Sequence, residues 1–229
     1  MTTAIDDRYR SGEYLEATPS WHLEDSPFKA RQVLRMIGRA GLDPQSICEI
    51  GCGAGGILDQ LQRRLGASVS LTGYDVSPQA HAISRQFRTE RLQFVLGDAF
   101  ADERHFDLVL VMDVVEHVED CFEFLRQTKH KGTHKIFHIP LEIFALGALR
   151  DTYLTSWHKF GHLHRFSPST ALEALRYTGH EIVDYFYSAG AIETGTQLKT
   201  RVLNVGRRLL PEHISARLFG GYSLLILTR

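Results

Sequence analysis

The chain has 229 residues, 43% hydrophobic and 23% charged, with a formal net charge of −1, which suits one ordinary globular domain and lacks the basic excess of a nucleic-acid binder. Three cysteines (Cys48, Cys52, Cys121) are too few for a disulfide framework and point to a reducing compartment. No basic-then-apolar leader opens the sequence and no uncharged apolar run is long enough to span a bilayer, so a cytoplasmic location is expected.

The first 26 residues are polar and aromatic without clear periodicity, and SPFKARQVLRMIGRAG (26–41) then reads as an amphipathic helix. From Ser46 short apolar runs alternate with amphipathic stretches, the pattern of βα repeats on a largely parallel sheet. SICEIG (46–51) reads as a strand, GILDQLQRRLG (56–66) as a helix, and VSLTGYDVS (69–77) as a second strand closed by Pro78 at a helix start. LQFVLGDA (92–99) is a third strand and FDLVLVMDVV (106–115) a fourth, almost wholly apolar as a strand covered on both faces should be. THKIFHIPL (133–141) follows, then a helix over 167–179 started by Ser167 or Ser169 and stopped by Gly179. HEIVDYFYS (180–188) and YSLLILTR (222–229) are the last two strands.

The first three strands end at Gly51, Asp75 and Asp98, intervals of 24 and 23 residues, which puts all three ends on one edge of the sheet. Open α/β sheets bind their ligands at that edge. Gly51, Gly53 and Gly56 satisfy the G-x-G-x-x-G dinucleotide fingerprint, while Glu49, Gly51, Gly53 and Gly55 equally form an acid followed by alternate glycines. The loop alone does not choose between these readings, and Asp75 serves both by accepting hydrogen bonds from ribose hydroxyls. Asp98 adds a carboxylate suited to an exocyclic base amino group. A nicotinamide enzyme has no general need of one there, and neither a Tyr-x-x-x-Lys pair nor a second domain is present.

In this order and spacing, EIGCGAGG, GYDVS, GDAF and FDLVLVMDVVEHVED resemble the motif set of class I S-adenosylmethionine-dependent methyltransferases, the ubiquinone-pathway group among them. The resemblance covers about Ser46 to Pro140. It implies an α/β fold: a Rossmann-like three-layer sandwich on a seven-stranded, mostly parallel sheet with the last strand antiparallel. One domain over 1–229 is expected, with a lid and leading helix (1–45), a cofactor core (46–141), a substrate loop (142–166) and an insertion (189–221). Carried over, Glu49, Gly51, Cys52 and Gly53 line the methionine and ribose part of S-adenosylmethionine. Asp75 with Val76 binds the ribose, Asp98 with Ala99 the adenine amino group, and Phe100 packs on the adenine ring or in the core. Asp113 lies beside the cofactor. Trp21 and His22 resemble part of an N-terminal lid segment.

Methyl transfer needs alignment and exclusion of water, and an oxygen or nitrogen nucleophile often needs a base, for which histidine is suited. Among 12 histidines the candidates are His158, His162 and His164 of WHKFGHLHRFSP, with His117 and His22 as rivals. Asp113, Glu116 and His117 resemble the acid-x-x-Glu-His turn that some ubiquinone-pathway enzymes are thought to use for a divalent metal, but aspartate replaces the first acid and no metal is expected. His158, His162 and His164 lack a further ligand at zinc spacing. Glu142 is placed to accept a substrate hydrogen bond. Segment 193–221 carries Lys199, Arg201, Arg207, Arg208 and Arg217, with Leu198, Val202, Val205 and Leu209 at helical spacing. It reads as a cover for the sheet edge or a homodimer contact, or as a peripheral membrane contact. The expected reaction is methyl transfer to an oxygen of a small, glycan or lipid-linked acceptor, yielding S-adenosylhomocysteine. A nicotinamide oxidoreductase and a non-catalytic cofactor-binding subunit are the alternatives.

Overall fold

The computed structural model describes residues 20–21, 23–190 and 210–229. Its sheet has seven strands: β1 Ser46–Ile50, β2 Ser70–Asp75, β3 Leu92–Leu96, β4 Phe106–Met112, β5 Gly132–Pro140, β6 Ile182–Ser188 and β7 Ser223–Thr228. They lie in the order β3-β2-β1-β4-β5-β7-β6. The first five run parallel, and β7 pairs antiparallel with both β5 and β6. The expected fold is therefore present, including the antiparallel last strand.

The central strands show why the sheet is covered on both faces. Along β4, Val109 and Val111 enter one buried cluster while Leu108, Leu110 and Met112 enter the other, the period-two alternation of a strand. Helices α1 Ser26–Ala40 and α2 Gly56–Gln62 pack on the second cluster through Val33, Met36, Leu58 and Leu61. On the opposite face sit α4 Cys121–Lys131 and α7 Pro168–Tyr177, through Leu125, Ala171 and Leu175, with Ala216 of α8 Glu212–Phe219. α3 Pro78–Ser84 follows β2 and is capped by Ser77. For α7 the cap is Ser167 rather than Ser169, in a capping box with Thr170.

One expectation changes. The stretch 142–166 is not simply a loop: it folds as α5 Ala145–Arg150 and α6 Tyr153–Phe160, each ended by a left-handed residue, Asp151 and Gly161. Of the insertion, 210–221 carries α8, while Leu198, Val202, Val205 and Leu209 lie outside the described residues. Among the described residues no helix is long and apolar enough to cross a membrane.

Candidate active site

Strand order reverses between β1 and β4, and a cavity of about 710 Å³ opens there, lined by residues at the carboxyl ends of β1 to β5. The glycine loop forms its floor. Gly51 has φ +69°, and a Cβ there would sit 2.7 Å from Val114 Cγ2, so the residue must be glycine on two counts. Gly53, at φ +52°, donates its N–H to Asp75 Oδ2 at 2.7 Å, and the Trp21 ring stands over it. The other Asp75 oxygen accepts from Ser77 N at 2.8 Å. Burial raises the Asp75 pKa, and these two N–H groups only partly oppose it.

Trp21, Glu49, Gly51, Cys52, Gly53, Asp75, Val76, Asp98, Ala99, Phe100 and Asp113 all line this one cavity; His22 lies outside the described residues. Asp98 accepts from Phe100 N at 2.9 Å, which turns the chain into a short 3-10 segment, and Phe100 meets Phe124 edge-on at 5.4 Å. Glu49 bears most directly on the cofactor. It is buried, its Oε2 has no hydrogen-bond partner among the described residues, and burial pushes its carboxyl up to about 8. A buried acid left unpartnered at a cavity floor fits an incoming cation, and the amino acid end of S-adenosylmethionine carries one. The residues present thus fit that cofactor.

Beyond β4 the backbone enters a left-handed conformation at Asp113, φ +56°, rare for a residue with a Cβ. The carboxylate is held on both sides: Lys29 Nζ lies 2.7 Å from Oδ2 and His138 Nδ1 2.6 Å from Oδ1, while His138 Nε2 is 3.3 Å from Ser188 Oγ. Burial opposes the Asp113 charge, but His138 and Lys29 outweigh it and hold the carboxyl well below its usual range. Lys29 and His138 were not singled out from the sequence. Lys29 sits four and seven residues before the buried Val33 and Met36, a cation on the core stripe of α1, and His138 interrupts the apolar run of β5. Both signals were there to be read.

The turn continues to Glu116, 1% exposed, whose two carboxylate oxygens have no hydrogen-bond partner among the described residues. Burial and then the neighbouring Asp113 charge push its pKa well up. Its backbone carbonyl accepts from Leu163 N at 2.8 Å and His164 N at 3.0 Å, which ties the segment after α6 to this turn.

The candidate histidines separate. His158 is exposed on α6 and does not line the cavity. His164 turns away, its Nε2 donating to the carbonyls of Val118 and Glu119 at 2.9 and 3.1 Å. His117 and His162 do line the cavity, with ring centroids 4.7 Å apart. Glu142 Oε1 lies 3.0 Å from His162 Nδ1, close enough for an ion pair though off the line of a good hydrogen bond, and accepts from Ser156 Oγ at 2.8 Å. Glu142 is thus engaged inside the protein. As a metal set Asp113, Glu116 and His117 do not fit, because both Asp113 oxygens are taken. Glu116, His117 and His162 are the ones that gather, with ligand atoms within 4.8 Å of one another.

Comparison with known proteins agrees with this geometry. A family model described as a methyltransferase domain matches residues 21–185. A ubiquinone biosynthesis O-methyltransferase of Methylobacterium nodulans is 43% identical over 132 residues, 51% of this chain and 50% of that protein. The norajmaline N-methyltransferase of Rauvolfia serpentina is 33% identical over 92 residues, 37% of this chain and 31% of that protein. The chain thus spans half or less of the length of these curated relatives. In fold it is similar to the plantazolicin methyltransferase BpumL in complex with SAH, with a TM-score of 0.65 at 15% identity over 99% of this chain and 94% of that one. With the family model covering most of the chain and the residues of the resembling motifs lining one cavity, the chain belongs to the class I S-adenosylmethionine-dependent methyltransferases.

Proposed function

We propose that this chain methylates an oxygen of a small acceptor, with His162 as the base. When bound, S-adenosylmethionine supplies an electrophilic methyl group on its sulfonium. The protein's part is to hold the acceptor in line with that methyl, exclude water, and take the acceptor's proton. The observation that carries this reading is that His162 lines the same cavity as the glycine loop, with the Glu142 carboxylate 3.0 Å from its Nδ1. Glu142 favours the tautomer with hydrogen on Nδ1 and leaves Nε2 basic, while Ser156 holds Glu142 in place. The ionised Glu142 carboxyl also stabilises the imidazolium that forms. Its carboxyl sits below its usual range because His162 and Ser156 outweigh burial.

The relatives named for O-methylation favour oxygen, and the cavity is of a size for cofactor plus a modest acceptor. A lipid-linked acceptor has a second support. Leu149, Leu154 and Trp157 are 84%, 59% and 45% exposed on the two helices that lead to the cavity residues Phe160 and His162.

The test uses S-adenosylmethionine carrying a labelled methyl with phenols, sugar alcohols and polyprenyl-linked phenols presented in vesicles. Label is expected on oxygen. His162→Ala is expected to slow transfer by about 10²–10⁴-fold with cofactor affinity unchanged. Transfer to nitrogen, or a His162→Ala rate within a few-fold of wild type, would overturn the reading.

A further inference from the structure

Asp25, Glu49, Asp113 and Glu116 are among the acidic residues that line the cavity, and among the described residues a single lysine, Lys29, lines it with them. It arrives from the first turns of α1, and its ammonium lies 2.7 Å from Asp113 Oδ2. With His138 on the other oxygen at 2.6 Å, the Asp113 carboxylate is saturated by two groups of the protein itself. The residue so held stands at φ +56°, its N–H also donating to His138 O at 3.0 Å, and Val115–His117 just beyond form the 3-10 turn that carries Glu116 and His117. Holding a non-glycine residue in that region requires surroundings that over-determine it.

We infer that Lys29 is a built-in cation and a positioning residue: its contact with Asp113 sets the acid turn at the methyl-transfer centre, the task a divalent ion on that turn would otherwise perform. The inference rests on the cofactor reading and is independent of the acceptor. Any cation placed on Asp113 would first have to displace Lys29. The arrangement also ties the acid turn to the leading helix, so α1 must be docked for the centre to be formed.

Charge supplies a readout that mere destabilisation does not. S-adenosylmethionine carries a sulfonium where S-adenosylhomocysteine has a neutral sulfur. Removing Lys29 takes one positive charge from the shared cavity and leaves Asp113 with His138 alone, which favours the charged ligand over the neutral one. Neutralising Asp113 takes one negative charge from it, with the reverse effect.

The experiment is calorimetry of both ligands, without acceptor, against the full chain, with EDTA and with added Mg²⁺ or Zn²⁺. In wild type the affinities should be the same within twofold under both conditions. In Lys29→Met the ratio of S-adenosylmethionine to S-adenosylhomocysteine affinity should rise at least threefold. In Asp113→Asn it should fall by a similar factor, and in Lys29→Arg it should stay within twofold. Should Lys29→Met fail to fold, the Asp113→Asn ratio decides alone. A wild type that binds neither ligand removes the cofactor reading, and this inference with it. A wild type that binds both, with ratios that do not move in opposite directions, overturns the Lys29 assignment alone. So does wild-type binding that collapses in EDTA and returns with a divalent ion, since the working cation would then be a metal on Glu116, His117 and His162.

Discussion

The cavity has two halves built by different means. The half at the ends of β1, β2 and β3 is largely backbone: positive-φ glycines and N–H groups that aim two aspartates. The half beyond β4 and β5 is side chains in contact across long sequence separations: Lys29 with Asp113, Asp113 with His138, Glu142 with His162. A backbone site requires particular residue types at fixed local spacing. A side-chain site requires only that charges find partners, from whichever element passes nearby.

That contrast can be broken at several points. The largest effect is expected from Gly51→Ala, which brings both a strained φ and a methyl against Val114. Cofactor affinity should fall about 100-fold or more, and Val114→Ala in the same chain should not restore it, because the φ penalty of roughly 1 kcal/mol or more remains. Full restoration by the second change would show that crowding alone demands the glycine. Next, Glu142→Gln should slow transfer by ~10- to 100-fold, less than loss of the base itself, with KM for the acceptor within a few-fold. Steady-state kinetics that show KM rising with kcat unchanged would instead make Glu142 a binding residue. Third, Asp75→Ala should weaken cofactor binding at least tenfold, about 1.4 kcal/mol, by calorimetry. Both backbone N–H groups it orients lose their acceptor in that variant.

The smallest effect is on pH. Burial pushes the Glu49 carboxyl up from 4.5 to about 8, so between those values the folded chain holds a proton that the unfolded chain has lost. Stability of the cofactor-free protein should therefore fall as pH rises through that window, by about 1 kcal/mol per unit from this group. Cofactor affinity should rise a few-fold from pH 6.5 toward 8, because the ionised carboxylate is the form that pairs with a cation. Melting scans and calorimetry in buffers of different ionisation enthalpy would register both, and an affinity flat in pH would place the cofactor's cation elsewhere.

The same division explains what was legible in the sequence. EIGCGAGG and the aspartates at 75 and 98 were readable because each follows a strand end at a local spacing, and the strand order followed from their resemblance to a known family. The histidines were not sorted by their cluster, because His158, His162 and His164 lie within seven residues of one another and only the end of α6 at Gly161 decides which of them turns inward. Lys29 is 84 positions from Asp113, and no local pattern predicts that meeting. Its trace was indirect, a cation on a buried helical stripe.

The place of β7 gives the site an order of assembly. His138 lies opposite Leu225 of β7, and Ser188, its other neighbour, lies on β6, which pairs with the rest of the sheet only through β7. On the ribosome, the glycine loop and the first three strands are complete more than 100 residues before Ser223 is added. A nascent chain can thus shape its cofactor floor early. His138 meets Asp113 once β5 pairs with β4, but Ser188 reaches its other ring nitrogen only when β7 has brought β6 into the sheet, so the surroundings of His138 are completed last.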